Sequence, residues 1–239
     1  MRSLIMGVAQ PPCVALDVAA NALAHAAAVR AAGSRVVVFP ELSLTGYELD
    51  APVLSEDDPR LDPLIAACAE TGTIALAGAP VEGPYIAVLA IDEDGARIAY
   101  RKQNPGGAES ARFLAGPCPE SIEVDGWRLG LAVCRDTGIR RHWADTAALG
   151  IDAYVAGATD HPADDVVMAE RARQVSTTFG VWVAFAGFAG PTGGGFPETA
   201  GRSGIWAPDG SEVARAGRQP GEVVRARLVS SPQGLRSPY

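Results

Sequence analysis

The sequence predicts an α/β fold, and three observations carry that expectation. Runs such as Val36-Val37-Val38-Phe39 and Leu129-Gly130-Leu131-Ala132-Val133 are apolar without polar alternation, the pattern of strands buried on both faces of a parallel or mixed sheet. Between such runs, apolar residues recur at helical spacing, as in Leu61, Leu64, Ile65 and Cys68 or Met168, Ala172, Val175 and Phe179. No composition break, low-complexity tract or repeat interrupts the 239 residues, a length that can bury a substantial core as one domain over residues 1–239.

The elements follow in order. Met1 to Gln10 reads as a strand ended by Pro11-Pro12, too short in apolar length for a signal peptide. Asp17 caps a helix running to Ala32, with Gly33 as its stop. The strand from Val36 ends at Pro40-Glu41, and a loop follows to Tyr47. Pro59 opens the second helix, which makes Cys68 a core residue. Strands are expected at Thr73–Gly78, Tyr85–Ile91 and Ala96–Tyr100, the last two joined by the hairpin signal Asp92-Glu93-Asp94-Gly95. Residues 103–119 read as loop with at most a helical turn. Strands at Ser121–Val124 and Trp127–Val133, a helix over 139–149, a strand at Ile151–Val155, a helix over 163–179 and a strand at Val181–Ala189 come next. Pro191–Gly195 reads as a flexible lip near the site; Gly193-Gly194-Gly195 lacks the Gly-Lys-Ser/Thr end of a P-loop. Strands at Gly204–Ala207, Glu212–Ala216 and Glu222–Leu228 finish the chain, and the tail from Val229 reads as loose.

Composition excludes several classes. A net charge of -8, with no basic stripe carrying interleaved aromatics, argues against nucleic acid as a partner. No apolar window approaches a membrane span. The four cysteines stand far apart with no CxxC pair, which points to free thiols in a reducing cytoplasm.

Three strand ends carry chemistry: Glu41, Lys102 and Cys134. A thiol acts as nucleophile near neutral pH only with a base or a positive field beside it. A desolvated carboxylate such as Glu41 can be that base, and Lys102 can favour the thiolate and stabilise the oxyanion formed when the thiol adds to a carbonyl or nitrile carbon. Rival arrangements are weaker. His142 with Asp145, or His161 with Asp164 and Asp165, as metal ligands are better explained by helix-surface and loop positions, and a Cys134–His161 dyad of the papain kind needs a spatial proximity that the sequence does not show.

Val38-Phe39-Pro40-Glu41-Leu42-Ser43-Leu44-Thr45-Gly46-Tyr47 resembles the first signature of the nitrilase superfamily, the carbon-nitrogen hydrolases. Tyr100-Arg101-Lys102 with Glu109, Phe113 and Gly116 resembles the second, and Gly130-Leu131-Ala132-Val133-Cys134-Arg135-Asp136 the third. Lys102 follows Glu41 by 61 residues and Cys134 follows Lys102 by 32, which fits the same order. Echoes at Arg171-Ala172-Arg173 and Ala200–Gly210 extend the likeness over nearly the whole chain.

The resemblance implies a four-layer αββα sandwich, commonly paired into a homodimer or higher homo-oligomer through helices. It implies Glu41 as general base, Lys102 as oxyanion stabiliser, Cys134 as nucleophile and Glu109 as the residue orienting the lysine and the substrate amide, with the backbone N–H of Arg135 as second oxyanion donor and Tyr47 at the substrate. The implied reaction hydrolyses an amide of a small molecule through a thioester, with no metal or organic cofactor. N-carbamoyl amidohydrolase and nitrilase activities are the alternatives, and a catalytically silent binding relative is the reading from another class. The chain departs from the pattern at Arg135, where an aromatic residue is frequent, at Gly138-Ile139-Arg140-Arg141 and at Asn104-Pro105. Arg135 is expected either to favour a substrate carboxylate or to pair with Asp136 or another local acid.

Overall fold

The structure is a computed structural model, and it describes residues 2–230. Two six-stranded sheets organise it. The first contains β1 (Ser3–Gln10), β2 (Val36–Val38), β3 (Ile74–Val81), β4 (Tyr85–Asp92), β5 (Gly95–Arg101) and β12 (Glu222–Val229) in the order β12-β1-β2-β3-β4-β5. The second contains β6 (Ser121–Val124), β7 (Trp127–Val133), β8 (Ala153–Ala158), β9 (Trp182–Gly187), β10 (Gly204–Trp206) and β11 (Glu212–Arg215) in the order β11-β10-β9-β8-β7-β6. Each sheet has a parallel centre, β1-β2-β3 in one and β7-β8-β9 in the other, with antiparallel strands outside it. Parallel neighbours need crossovers. Helices α1 (Val18–Ala32), α2 (Asp62–Thr71), α3 (Arg140–Ala147) and α4 (Asp165–Phe179) supply them.

Side-chain alternation along the strands sets the layers. Leu4, Met6 and Val8 of β1, Val36 and Val38 of β2, and Leu129, Leu131 and Val133 of β7 share one cluster between the two sheets. The alternate residues Ala9, Val37, Ala75 and Ala77 face α1 and α2, where they meet Ala26, Val29, Leu64 and Cys68. On the far side Ala132, Tyr154 and Phe185 meet Met168, Ala172 and Val175 of α4. The result is the four-layer αββα sandwich. Each buried Leu or Val contributes about 1.5–3 kcal/mol of transfer free energy, so the double-sided strands dominate the fold's stability.

Local signals place most boundaries. Asp17 Oδ1 accepts from Ala20 N at 3.0 Å, and Gly33 ends α1 in the left-handed region at φ 53°. β3 continues to Val81, past the expected stop at Gly78. Gly78 is not a breaker there: a Cβ on it would overlap the backbone of Pro40, Glu41 and Leu42, so the glycine lets the loop after β2 rest on the strand. At the other end of the chain Val229 still pairs with Ser3, and Ser230 N donates to Arg2 O at 3.0 Å. The remainder of the expected loose tail lies outside the described residues.

Candidate active site

The topology brings the three strand ends to one edge. β5 runs in the same direction as β3 because two antiparallel steps separate them, so Lys102 emerges at the carboxyl end of β2, where Glu41 lies. The second sheet meets this edge closely. A Cβ on Gly157 of β8 would crowd Phe39 O and lie 2.9 Å from Glu41 N, so that glycine admits the Pro40–Glu41 backbone between the sheets.

Glu41 is 1% exposed, Lys102 is 1% exposed, and they form a direct ion pair of 2.6 Å. Lys102 Nζ also donates to both oxygens of Glu109, at 2.8 and 2.7 Å. Glu109 in turn accepts from Tyr47 OH at 2.8 Å and from Gly106 N at 2.9 Å. Glu109 is thus fully engaged in holding the ammonium, whereas Glu41 Oε2 is buried with no hydrogen-bond partner among the described residues. An orphan carboxylate oxygen costs stability, and such groups cluster where a proton is to be accepted.

The titration behaviour follows from burial and charge. Burial raises Glu41, the negative Glu109 adds to this, and Lys102 opposes it, leaving Glu41 pushed up to about 8. For Lys102 burial acts downward, but Glu41, Cys134 and Glu109 outweigh it and hold the ammonium above its ordinary range. For Glu109 burial acts upward, and the Lys102 charge with its hydrogen bonds brings the carboxyl below its usual value. The pair that stays ionised is Lys102 with Glu109; Glu41 is the group poised near neutrality.

Cys134 ends β7 and opens a 3-10 turn over Cys134–Gly138, with φ at +43°, a conformation that non-glycine residues rarely adopt. Its Sγ donates to Thr159 O at 3.7 Å. Burial raises the thiol well above its ordinary value, the charges of Glu41 and Asp160 add to this, and Lys102 does not offset them. The resting thiol is therefore neutral: Lys102 acts in the expected direction, toward the thiolate, but burial and the two carboxylates outweigh it. Arg135 N–H lies in the first residues of the 3-10 turn, where backbone donors lack partners within the helix.

Asp136 holds the strained turn. Its Oδ2 accepts from Val133 N at 3.0 Å and from Tyr100 OH at 2.8 Å. Its Oδ1 accepts from Asn104 N at 3.0 Å and Asn104 Nδ2 at 2.7 Å. One carboxylate thus ties the Cys134 turn to the segment two residues beyond Lys102. The network continues through His142, which contacts Tyr100 OH at 2.9 Å and Tyr154 OH at 3.0 Å. His142 is buried, not on a helix surface as expected, because these two hydroxyls give its ring nitrogens internal partners. Asp136→Ala is expected to cost about 2–4 kcal/mol by stranding several buried donors; an unfolding midpoint equal to the parent's in urea melts would contradict this.

A second buried histidine supports the Glu41 loop. His25 contacts Ser43 Oγ at 2.8 Å and Asn21 O at 2.7 Å, and its ring lies 4.3 Å from that of Phe39. Burial lowers its pKa to about 4 against an ordinary 6.5. Between those values the unfolded chain binds the proton and the folded one does not, so stability falls as pH drops from 6.5 to 4, by about 3 kcal/mol in total. Urea melts at pH 7.5 and 4.5 are expected to show an excess loss of that size in the parent over His25→Gln; equal losses would contradict it.

The remaining candidates separate. Arg135 is exposed, packs over Gly106, and makes no ion pair among the described residues. Its expected pairing with Asp136 does not occur, because Asp136 is committed to Tyr100, Asn104 and Val133. Tyr47 is buried with its hydroxyl on Glu109. All four cysteines are free, and burial pushes Cys13 up to about 12 and Cys68 to about 11. Among the described residues no group of three or more His, Cys, Asp or Glu is placed to hold a metal ion. Sequence reasoning missed Asp160, which burial raises to about 6 and whose charge acts on Cys134. It also missed Phe196, stacked on His161. Asp160 sits just past the end of β8, the topological signal that would have drawn attention to it.

A four-layer sandwich with a buried Glu-Lys-Glu cluster beside a strand-end cysteine defines a class, and comparison with known proteins identifies it. The carbon-nitrogen hydrolase family profile matches residues 6–232, and the chain belongs to that family. A Pseudomonas protegens protein named "Hydrolase in pqqF 5'region" is 30% identical over 230 residues, covering 91% of this chain and 80% of its own. Among solved structures, a CN-hydrolase superfamily protein from Xanthomonas campestris with an arsenic adduct in its active site superposes with a TM-score of 0.85 at 20% identity, covering 96% of this chain and 92% of that one. A cysteine-to-serine mutant of the Nesterenkonia AN1 amidase, of the nitrilase superfamily, superposes with a TM-score of 0.84 at 21% identity over 95% of this chain and 92% of that one.

Proposed function

We propose that this chain, acting as one domain over residues 1–239, hydrolyses an amide of a small molecule to a carboxylate and ammonia through a thioester on Cys134. The observation that carries this reading is the buried ammonium of Lys102 shared between Glu41 and Glu109, with one oxygen of Glu41 unpartnered. Glu41 takes the thiol proton as sulfur attacks the amide carbon, and the C=O electron pair moves onto oxygen. Lys102 and the N–H of Arg135 meet that oxyanion. Collapse re-forms C=O and breaks C–N, and Glu41 returns the proton to the departing nitrogen. Water then attacks the thioester, giving one proton to Glu41; the thiol leaves with that proton, and the carboxylic acid formed ionises to the carboxylate by giving its remaining proton to solvent or ammonia. The amidase among the structural neighbours supports the choice of substrate class.

Tyr47 orients Glu109 and lines the substrate side. Arg135, exposed and without an ion pair among the described residues, offers a guanidinium to a substrate carboxylate. A homodimer or higher homo-oligomer formed through helices is part of the same reading; Val166 and Val167, 77% and 43% exposed at the start of α4, give that face apolar surface. The unpaired cysteines fit a cytoplasmic protein. An ammonia-release screen over amides, carbamoyl compounds and nitriles, with Cys134→Ala as control, tests the function. Release from amides that the control abolishes is the expected result; release that persists in the control, or from no amide at all, would overturn it.

A further inference from the structure

Three aromatic rings stand in a row beside the candidate site. Phe196 meets Tyr47 edge-on, with centroids 5.4 Å apart at 89°, and lies over His161 at 4.3 Å and 26°. The outer two rings belong to opposite halves of the site. Tyr47 donates to Glu109, the partner of Lys102, and its hydroxyl feels the charges of Glu41, Glu109 and Cys134. His161 stands two residues beyond Thr159, whose carbonyl accepts from Cys134. Phe196 therefore bridges the lysine side and the thiol side, and it packs on the same cluster between the sheets as Cys134.

The loop that carries Phe196 is fastened to the Tyr47 loop. Gly193 N donates to Gly46 O at 3.0 Å, the Thr192 hydroxyl donates to the same oxygen, and Thr192 N donates to Phe196 O at 2.9 Å. Gly194, at φ +63°, lies so close that a Cβ would stand 2.7 Å from the Tyr47 ring. The glycine run is thus shaped to seat the turn on Tyr47, and Phe196 is the only aromatic residue in 190–200. One stacked neighbour and one perpendicular neighbour thus restrict the Phe196 ring.

We propose that Phe196 is a specificity-determining residue: its ring walls the space over Cys134 on the acyl side of the substrate, admitting short unbranched acyl groups and turning away aryl ones. This rests on Cys134 being the nucleophile, so the test includes a readout that does not need turnover. Cys134 is labelled with chloroacetamide and with its bulkier counterpart 2-chloro-2-phenylacetamide, followed by peptide mass spectrometry, in the parent, Phe196→Ala and Phe196→Leu proteins. Kinetics with propionamide and phenylacetamide are run alongside. Phe196→Ala is expected to raise the bulky-to-small labelling ratio at Cys134 about tenfold, with Phe196→Leu between it and the parent, and to shift the kcat/KM ratio in the same sense. A labelling ratio unchanged in both variants overturns the proposal whatever the turnover. A ratio that shifts while no protein hydrolyses any amide supports the wall and removes the hydrolytic reading instead.

Discussion

Glu41→Gln is expected to lower amide turnover about 10³-fold while leaving the protein folded. The reason lies in the two neighbouring titrations. Burial holds the Cys134 thiol neutral, and the same burial lifts Glu41 to about 8, near the pH at which it must work. A general base matched to its operating pH supplies about 10²–10⁴-fold, and glutamine can neither accept the thiol proton nor return one to the leaving nitrogen. The sign of the pH dependence follows. The active form carries an ionised Glu41, so kcat/KM is expected to rise with pH through neutrality and level off above about 8. Residual activity in Glu41→Gln should lack that limb. A pH–rate profile that falls through the same range, or a variant with near-parental turnover, would contradict the assignment.

Lys102→Met is expected to damage stability as well as activity. Among the described residues Lys102 is the only cation hydrogen-bonded to either glutamate, and both its partners are buried. Removing one partner of a buried ion pair costs about 3–5 kcal/mol, because the charge left behind has neither water nor a counter-ion. The carboxylates are then expected to take up a proton. Neutralising one of them should therefore restore part of the loss: Lys102→Met with Glu41→Gln is expected to be more stable than Lys102→Met alone, yet equally inactive. Urea unfolding of the three proteins measures this. Lys102→Met within about 0.5 kcal/mol of the parent, a surface-like value, would contradict the buried-cluster picture.

Much of this site was legible in the sequence because its members end strands. An apolar run that stops at Glu41 or Cys134 is visible locally, and the topology then places both at one edge. Gly78 shows where local reading fails: it looks like a strand end, yet β3 passes through it, and its lack of a side chain serves the Glu41 loop packed above. His142 misleads for a similar reason. It lies in the polar stretch Arg140-Arg141-His142-Trp143-Ala144-Asp145, and only contacts with Tyr100 and Tyr154, remote in sequence, bury it. Asp136 belongs to the third signature, but its role as the tie between the thiol turn and Asn104 depends on hydrogen bonds spanning 32 residues. Periodicity carries no trace of such bonds. The row Tyr47-Phe196-His161 is likewise assembled from three separate loops.

The most direct measurement is rapid quenching of the protein with a turned-over amide, followed by mass spectrometry of the Cys134 peptide. The expected result is an acyl mass on Cys134 during turnover, absent from Cys134→Ala, which releases no ammonia. Steady ammonia release from Cys134→Ala, or acyl mass found on another residue during turnover, would contradict the central role given to this thiol.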